Sequence, residues 1–373
     1  MTFHRALTLR HSATAATPVL VGEAALAAAE PELLRWLAGR AVFVVGSAPV
    51  LALHGARLDG LRAAAARWEV LEVADGEAAK SVRSAEALWN RMLAAGGKRD
   101  SRVIAFGGGS VGDLAGFAAG CFLRGLEFVQ IPTTLLAQVD AAIGGKTGVD
   151  LPGGKNTVGL FHHPAMVVCD TSLLPTLPRG ELRSGLVEVI KMAALLDLGL
   201  LAETETALDA LLAGEAAALG PVVAGAAAAK IAVVERDPTE QGDRRLLNFG
   251  HTLGHAIETA LAYGGLRHGE AVAYGILFAL RLAERRGLDA GFAGRLRTLL
   301  ARLDLPPLPP LDPAALVDHM ARDKKARESG LVWVLPAAPG EGRMVSGIPW
   351  EEILEEIGGF LRDPFAAMCP DRV

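Results

Sequence analysis

The chain has few cysteines, with only Cys121, Cys169 and Cys369 among 373 residues. Zinc ribbons and disulfide-stapled secreted domains need paired or closely spaced cysteines, and an odd, widely spaced set of three provides neither. The set is typical of a protein of a reducing compartment such as the cytoplasm. We therefore expect these thiols to be small apolar side chains or an idle tail thiol, and not metal ligands.

Positive charge is not in excess either. Lys and Arg total 37 against 42 Asp and Glu, which gives a net charge of −5 and a pI near 6.0. This balance gives no general attraction to nucleic acid or to an anionic membrane, so an anionic substrate would need a local basic cluster. The apolar run at residues 271–280 is about half of the roughly 18 to 20 residues that a membrane span requires. We expect neither a nucleic-acid partner nor a membrane span.

Acidic residues are absent from the first 22 residues, which contain Arg5 and Arg10. An acid-free basic start resembles a transit peptide. However, residues 6–10 and 17–22 alternate between apolar and polar side chains, which is typical of two hairpin strands. We expect this segment to be part of the fold.

The length of the chain favours two domains. From residue 40 to 176, short apolar runs alternate with amphipathic stretches, which predicts a parallel sheet covered on both faces, a Rossmann-like α/β domain. After two prolines at 175 and 178, helical periodicity dominates, with a final strand pair near 331–347. We predict an α/β domain at 1–176 that binds a nucleotide and a mainly α-helical domain at 177–373 that binds metal and substrate.

A glycine-rich stretch, GGGSVGD at 107–113, follows a predicted strand and opens a predicted helix. Glycines let the backbone approach a pyrophosphate, and the helix N-terminus supplies N–H donors. The alternative is a tight strand-to-helix turn, since a lone GxGxxG is a weak signal and here follows the third strand of the sheet. The predicted contacts are Gly107, Gly108, Gly109, Ser110, Val111, Gly112 and Asp113.

Further polar residues follow other strands of the same predicted sheet. They are Asp75, Glu77 and Lys80, whose carboxylates could bind ribose hydroxyls, the hydroxyls of Thr133 and Thr134, and Lys146 and Lys155 on glycine-rich loops. The carboxyl edge of a parallel sheet is where such folds bind ligands. Together these residues favour a dinucleotide site with phosphate or substrate clamps.

Three histidines lie within 18 residues, at 251, 255 and 268, and Glu188 lies upstream with Lys191 at i+3. A HxxxH pair by itself is common on helix surfaces. A carboxylate and two imidazoles, however, leave a metal position open for substrate oxygens, which is typical of a catalytic site, not a structural one. The spacing leaves open which histidines bind the metal. A metal and a dinucleotide by themselves would indicate a dehydrogenase.

Basic residues surround this group in sequence: Lys230 and Arg244 lie near Glu240 and Asn248. Arginine and lysine are suited to carboxylate and phosphate groups. The alternative is a solvated charged loop at 237–245, which the composition also fits.

These motifs together resemble the 3-dehydroquinate synthase family of sugar-phosphate cyclases. The resemblance runs from about residue 17 to 360 and includes DGEAAK at 75–80, GGGSVGDLAGF at 107–117, GGKTGVD at 144–150, GGKN at 153–156, EVIK at 188–191, NFGHTLGHAIE at 248–258, HGEAVA at 268–273 and RDKK at 322–325. It implies NAD and one divalent metal, zinc or cobalt, as cofactors.

Carried over by position, the resemblance implies that Glu188, His251 and His268 bind the metal. It implies substrate contacts for Arg124, Lys146, Asn156, Lys230, Arg244, Asn248 and one of Lys324 and Lys325, and roles around the reacting groups for His255, Lys191, Asp140 and Glu240. Arg124 matches an arginine that reaches the neighbouring subunit's site, so a homodimer is implied.

The implied reaction converts 3-deoxy-D-arabino-heptulosonate 7-phosphate to 3-dehydroquinate and phosphate. It combines transient oxidation by NAD, β-elimination, reduction and an intramolecular aldol closure, as a step of aromatic amino acid biosynthesis. Two positions differ from the family's usual pattern. Ser47 stands where an acid or amide often contacts the nucleotide, and Pro238, directly after Asp237, stands where an acid is common.

Three alternatives compete with this interpretation. Cyclases that make valiolone-like or deoxyinosose products act on substrates without a carboxylate, so Lys230, Arg244 and Asn248 argue against them. A metal-dependent polyol dehydrogenase is disfavoured by Glu188 and by the glycine-lysine motifs at 144–147 and 153–156. A catalytically dead NAD-binding scaffold would be expected to lose metal ligands, and none is lost.

Overall fold

The computed structural model describes residues 4–12, 15–262, 264–325 and 331–366, and of 322–325 it describes the backbone alone. Contacts divide the chain into two compact units. The first comprises Met1–Pro178 with Ala213–Thr239, and the second comprises Arg179–Leu212 with Glu240–Val373. The first boundary between the units, after Pro178, lies close to the predicted domain boundary between 176 and 177. The return of the chain to the first unit at Ala213–Thr239 differs from the predicted division, which assigns that segment to the helical domain.

The first unit is built on a seven-stranded sheet. Its strands are β1 (His4–Arg10), β2 (Ala16–Gly22), β3 (Ala41–Ser47), β4 (Arg67–Val73), β5 (Arg102–Gly107), β6 (Glu127–Pro132) and β9 (Met166–Asp170), in the spatial order β1-β2-β9-β6-β5-β3-β4. All neighbours pair in parallel except β1 and β2, which form the antiparallel hairpin expected from the first 22 residues. The direction of winding reverses between β3 and β5, and the carboxyl ends at such a switch point form a crevice.

Helices cover both faces of this sheet, as the uniformly apolar strands predict. The helices of the chain are α1 (Ala25–Leu37), α2 (Ala48–His54), α3 (Asp59–Arg62), α4 (Val82–Ala94), α5 (Gly109–Cys121), α6 (Arg179–Leu196), α7 (Leu198–Leu212), α8 (Ala216–Arg236), α9 (His251–Ala260), α10 (His268–Glu284), α11 (Ala290–Ala301), α12 (Pro313–Lys325) and α13 (Trp350–Arg362). Leu88 and Leu114 belong to the core on one face, and Leu33 and Leu61 to the core on the other.

The two glycine-lysine motifs after β6 differ from the expectation of loops. They form a hairpin of β7 (Lys146–Leu151) and β8 (Gly154–Phe161), which pair antiparallel. The glycines of these motifs did not predict strands, because glycine has a low strand propensity. Here it is required: a Cβ on Gly159 would lie 2.3 Å from the carbonyl oxygen of Thr147. The two lysines therefore stand on strands.

Helix α8 is a longer apolar stretch than the 271–280 run considered from the sequence. By length and composition alone it could cross a membrane, but most of it is buried within the structure. It packs on β1 and β2 and on the π-helical turn Ala137–Ala141 of the first unit. This is the environment of a core helix in a soluble protein.

The second unit is mainly helical, as expected. It contains α6, α7 and α9 to α13, together with a short antiparallel pair of β10 (Val332–Ala338) and β11 (Glu341–Ser346). Helix α10 is the core of this unit: it packs on α6, α9, α11 and β10 and is buried along most of its length.

Candidate active site

Glu188, His251 and His268 come together in the second unit. Each offers one donor atom, and the three donor atoms lie within 4.8 Å of one another. The Nε2 atoms of His251 and His268 are 4.0 Å and 3.7 Å from Oε1 of Glu188. One carboxylate and two imidazoles are a donor set that zinc and cobalt accept, with positions left open for a substrate.

Helix α6 provides the carboxylate. It is buried over most of its second half, and Glu188 and Lys191 are 0% and 1% exposed. At i, i+3 spacing the two side chains share one helix face, and the Lys191 ammonium donates to Oε2 of Glu188. A charge buried this deeply requires a partner, so Lys191 balances the carboxylate from within the same helix.

The far nitrogens of both imidazoles are held by acceptors. The Nδ1 of His251 lies 3.2 Å from the carbonyl oxygen of Phe249, and the Nδ1 of His268 lies 3.2 Å from Oε2 of Glu258. Because carbonyl and carboxylate oxygens only accept, each Nδ1 carries a hydrogen, and in the neutral form of each ring the lone pair is on Nε2, which faces Glu188. Such contacts fix the tautomer and orientation of a metal-binding histidine.

The two rings differ electrostatically. Burial lowers the pKa of His251 well below its ordinary value, and the positive charges of Lys191, His255 and His268 lower it further. Burial also lowers the pKa of His268, but the hydrogen bond and charge of Glu258, with the charge of Glu188, outweigh it and raise that pKa overall. His251 is therefore held neutral, the form that binds a metal.

Close packing of α9 against α10 sets the separation of the two histidines. A Cβ on Gly275 would lie 1.8 Å from the carbonyl oxygen of Gly250, and one on Gly254 would lie 3.2 Å from Cα of Val272. Gly250 also has a φ of 79°, in the left-handed region. The backbones touch here, so His251 at the start of α9 faces His268 at the start of α10.

His255 lies one helical turn after His251, and it is exposed. Its ring centroid is 5.2 Å from that of His251 and 6.0 Å from that of His268. His255, Glu258 and His268 also form a second group of donor atoms within 4.8 Å of one another.

Three polar residues predicted to surround the substrate lie in the segment before α9. Arg244 is 1% exposed, so a solvated loop does not describe this position. Asn248 donates from Nδ2 to Oε1 of Glu240 at 3.1 Å. Glu240 has a φ of 60°, a strained conformation for a residue with a side chain.

The glycine-rich segment of the first unit lies at the switch point of its sheet. Helix α5 begins at Gly109, directly after β5, with Gly108 as its N-cap. Gly107 leaves no room for a side chain, because a Cβ would lie 2.7 Å from Cβ of Val111. A Cβ on Gly112 would lie 2.5 Å from Oε1 of Gln130, whose side chain would have to move. N–H groups in the first turn of a helix have no intrahelical partner, which makes this end of α5 suited to a phosphate.

Two buried hydroxyls lie at the same edge. Thr133 and Ser47, at the ends of β6 and β3, are 3% and 0% exposed. Neither hydroxyl has a hydrogen-bond partner within the part of the chain that the structure describes. Thr134 instead accepts from the N–H of Ala137 at 3.2 Å, as a cap of the following turn.

Four of the predicted charged residues of this edge, Glu77, Lys80, Asp113 and Lys155, contact one another. Ser110 donates to Oε2 of Glu77 at 2.9 Å, and Lys155 lies 3.3 Å from Oε1 of the same carboxylate. Lys80 is 5% exposed and donates to Asp113 at 2.9 Å. Burial lowers the pKa of Lys80, but the charges of Asp113 and Glu77 outweigh it and raise that pKa. Lys80 is therefore a charged, buried link between neighbouring segments.

The other predicted positions of the first unit fall into two groups. The Asp140 carboxylate accepts from the Lys230 ammonium, and Lys80 donates to the side-chain oxygen of Asn156. Asp75, Arg124 and Lys146 are exposed. Arg124 belongs to a turn in which it and Leu123 have φ angles of 71° and 50°.

The side chains of Lys324 and Lys325 lie outside the described residues, as does Cys369.

Sequence reasoning missed two buried carboxylates near His268. Glu258 holds His268, and Glu270, 1% exposed, accepts from the Arg267 backbone N–H at 2.8 Å and from Arg183 at 2.6 Å. Its place three residues after Arg267 follows the spacing of a capping box. Glu258 gave no such signal, since its burial and its contact with His268 depend on the approach of α9 to α10.

Two family models match adjoining parts of the chain. The model described as 3-dehydroquinate synthase N-terminal matches residues 70–184, and the model described as 3-dehydroquinate synthase C-terminal matches residues 185–326. Together they cover most of the chain and both groups of site residues.

Curated relatives agree with these matches. The chain is 44% identical over 323 residues to the 3-dehydroquinate synthase of Geobacter metallireducens, covering 86% of this chain and 90% of that one. It is also 44% identical over 344 residues to the 3-dehydroquinate synthase of Pseudomonas putida, covering 91% and 93%.

Solved structures share the fold. A 2-epi-5-epi-valiolone synthase from Streptomyces hygroscopicus with NAD+ and Zn2+ bound superposes with a TM-score of 0.86 at 30% identity, covering 96% of this chain and 99% of that one. A 2-deoxy-scyllo-inosose synthase complexed with carbaglucose-6-phosphate, NAD+ and Co2+ gives 0.86 at 26% identity, covering 95% and 99%. The sequence identity to the synthases of dehydroquinate is higher, and the chain belongs to the 3-dehydroquinate synthase family.

Proposed function

We propose that this chain is an NAD- and metal-dependent lyase that converts 3-deoxy-D-arabino-heptulosonate 7-phosphate to 3-dehydroquinate and phosphate. The observation that carries the proposal is the convergence of Glu188, His251 and His268 in a chain 44% identical to curated 3-dehydroquinate synthases. The substrate is a small sugar phosphate.

The donor chemistry of Glu188, His251 and His268 fits a divalent cation, zinc or cobalt. In their neutral forms both imidazoles offer an Nε2 lone pair, and the carboxylate accepts from Lys191. A cation held there acts as a Lewis acid that makes a substrate hydroxyl more acidic. Lys191 donates to this carboxylate and is placed to donate to a substrate oxygen as well.

The glycine-rich edge of the first unit fits the phosphates and ribose of NAD. The turn and the first N–H groups of α5 come from Gly107, Gly108, Gly109, Ser110, Val111, Gly112 and Asp113. Hydroxyls come from Thr133 and Thr134. The charged residues of the proposed NAD site are Asp75, Glu77, Lys80, Lys146 and Lys155. The buried Thr133 hydroxyl, which makes no hydrogen bond within the described residues, is a donor suited to such a ligand. When bound, NAD accepts a hydride and later returns it.

The remaining residues bind and orient the substrate. Lys230 and Arg244 hold its carboxylate, and Lys146, Asn156, Asn248, His255 and one of Lys324 and Lys325 hold its phosphate. Asp140 and Glu240 orient hydroxyls next to the reacting carbons. His255 fixes the phosphate close to the metal group, where the phosphate can take up the proton lost before elimination.

Four finer parts of the proposal concern the whole protein. The α/β domain at 1–176 binds NAD, and the domain at 177–373 carries the metal and much of the substrate site. We infer further that Arg124 serves the site of a second copy in a homodimer, which its exposure allows. The enzyme works in the cytoplasm.

Release of inorganic phosphate from the heptulosonate phosphate, with and without a chelator, tests the proposal. We expect NAD-dependent release that stops when the metal is removed and returns with added Zn2+ or Co2+. Glucose 6-phosphate and sedoheptulose 7-phosphate, which lack a carboxylate, are the matched comparisons for the rival cyclases. Release from either of these alone, or release that does not depend on metal, would overturn the proposal.

A further inference from the structure

The donor set of Glu188, His251 and His268 shares one residue, His268, with a second set of possible metal donors. His268 faces two carboxylates: its Nε2 lies 3.7 Å from Glu188, and its Nδ1 lies 3.2 Å from Glu258. His255 lies on the Glu258 side, and the donor atoms of His255, Glu258 and His268 are within 4.8 Å of one another. The ring of His268 therefore lies between two pairs of donors, Glu188 with His251 and Glu258 with His255.

We propose that His255, Glu258 and His268 form a second site for a divalent cation such as Zn2+. The site would share the His268 ring with the first, and after loss of its Nδ1 proton this ring would bridge the two cations as an imidazolate.

The chemistry of the second set matches that of the first. Each set contains one carboxylate and two imidazoles, which is the composition of open zinc sites. Glu258 is 5% exposed and its carboxylate is aimed at the ring of His268, so one donor pair is already in place. His255 is exposed, so a cation can reach the site from solvent.

The second site is the weaker of the two. Binding there replaces the hydrogen bond between His268 Nδ1 and Glu258, and the Nδ1 proton leaves to solvent. The first site needs no such exchange, because both of its imidazoles face Glu188 with Nε2 and keep their Nδ1 hydrogen bonds. We therefore expect the first cation to bind before the second.

Occupation of the second site has a functional consequence that rests on the proposed function. His255 is the residue assigned to the substrate phosphate, and a cation would occupy its donor nitrogen. Zinc in excess of the first equivalent should therefore inhibit phosphate release, and a higher substrate concentration should weaken this inhibition.

Metal stoichiometry tests the inference without reference to activity. Untagged full-length protein, freed of metal with a chelator, is dialysed to equilibrium against rising free Zn2+, and bound zinc is counted. We expect the wild type to bind one more cation per chain than His255→Ala, while both retain the tight first cation. His4→Ala, a change of an exposed histidine in β1, is the control and should match the wild type.

Equal zinc counts in the wild type and His255→Ala would overturn the inference. Should His255→Ala fail to fold, as judged by circular dichroism, His255→Phe at this exposed position decides the question by the same count. An extra cation in a protein that releases no phosphate would refute the proposed function and leave the second site standing. Phosphate release with equal counts would refute only the second site.

Discussion

The two candidate binding regions handle charge in opposite ways. In the second unit, one carboxylate and two imidazoles converge, with their donor atoms within 4.8 Å of one another. In the first unit, Glu77, Lys80, Asp113 and Lys155 are paired with one another across three segments. The donors of the second unit are completed by a cation. The charged groups of the first unit are already close to neutral together, and that region offers backbone N–H groups and hydroxyls to a ligand. A metal should therefore be essential to one region and of no consequence to the other.

Removal of a metal donor should have the largest effect. His268→Ala takes away one of three donors, and we expect metal content and phosphate release to fall together by more than about 100-fold, beyond the loss typical of outer contacts. Metal analysis and a phosphate assay on the same sample measure both. NAD binding, followed by calorimetry, should not change. A variant with full metal content would contradict the assignment of His268.

Separation of α9 from α10 should come next. Gly275→Ala places a Cβ 1.8 Å from the carbonyl oxygen of Gly250, so the helices must move apart. We expect the free energy of unfolding to fall by about 3 kcal/mol, the upper end for overpacking, and metal affinity to fall with it. Gly294→Ala on α11 is the matched control, since its Cβ meets open space. The control should gain about 0.5–1 kcal/mol, as measured by urea unfolding.

Loss of a charge in the first unit should affect NAD alone. Lys80→Gln leaves Asp113 without its charged partner and frees the neighbouring segments. We expect NAD affinity to fall roughly tenfold, equivalent to about 1.4 kcal/mol, with metal content unchanged. Lys98→Gln, at an exposed position of the same unit, is the control. A loss of metal in Lys80→Gln would break the comparison between the two regions.

The smallest effect concerns pH. Burial lowers the pKa of His54, the charge of Arg57 lowers it further, and Asp170 opposes both. Since the ring is harder to protonate in the folded protein, its contribution to stability is present above the unfolded pKa of 6.5 and is lost as the pH falls below it. We expect His54→Gln to flatten this decline in melting temperature between about pH 7 and 5. The difference between variant and wild type should be the same with and without chelator, because His54 belongs to the first unit.

The alternation of apolar runs with helical patterns was enough to predict the sheet, its coverage on both faces and the helical second unit. These features depend on local periodicity, which a sequence displays directly. The hairpin of β7 and β8 was missed because its glycines serve close backbone contact, as at Gly159 beside Thr147. Glycine weakens the local strand signal where the tertiary structure requires it.

The candidate site was predictable to a different extent. Spacing alone left three histidines equivalent, and the resemblance to the family separated them. The structure brings Glu188, His251 and His268 together, and their roles stay predictions. The contact between His268 and Glu258 follows from the approach of α9 to α10, and no periodicity within either helix reveals such an approach.

Helix α8 has a consequence for how the chain is synthesised and how its gene can be divided. The first unit is discontinuous: a segment that packs on β1 and β2 is translated after α6 and α7 have begun the second unit. The first unit therefore cannot be completed until Thr239 has left the ribosome. A fragment that stops at Pro178 would expose the apolar surface that α8 covers. Neither unit can be exchanged between relatives by a single recombination event.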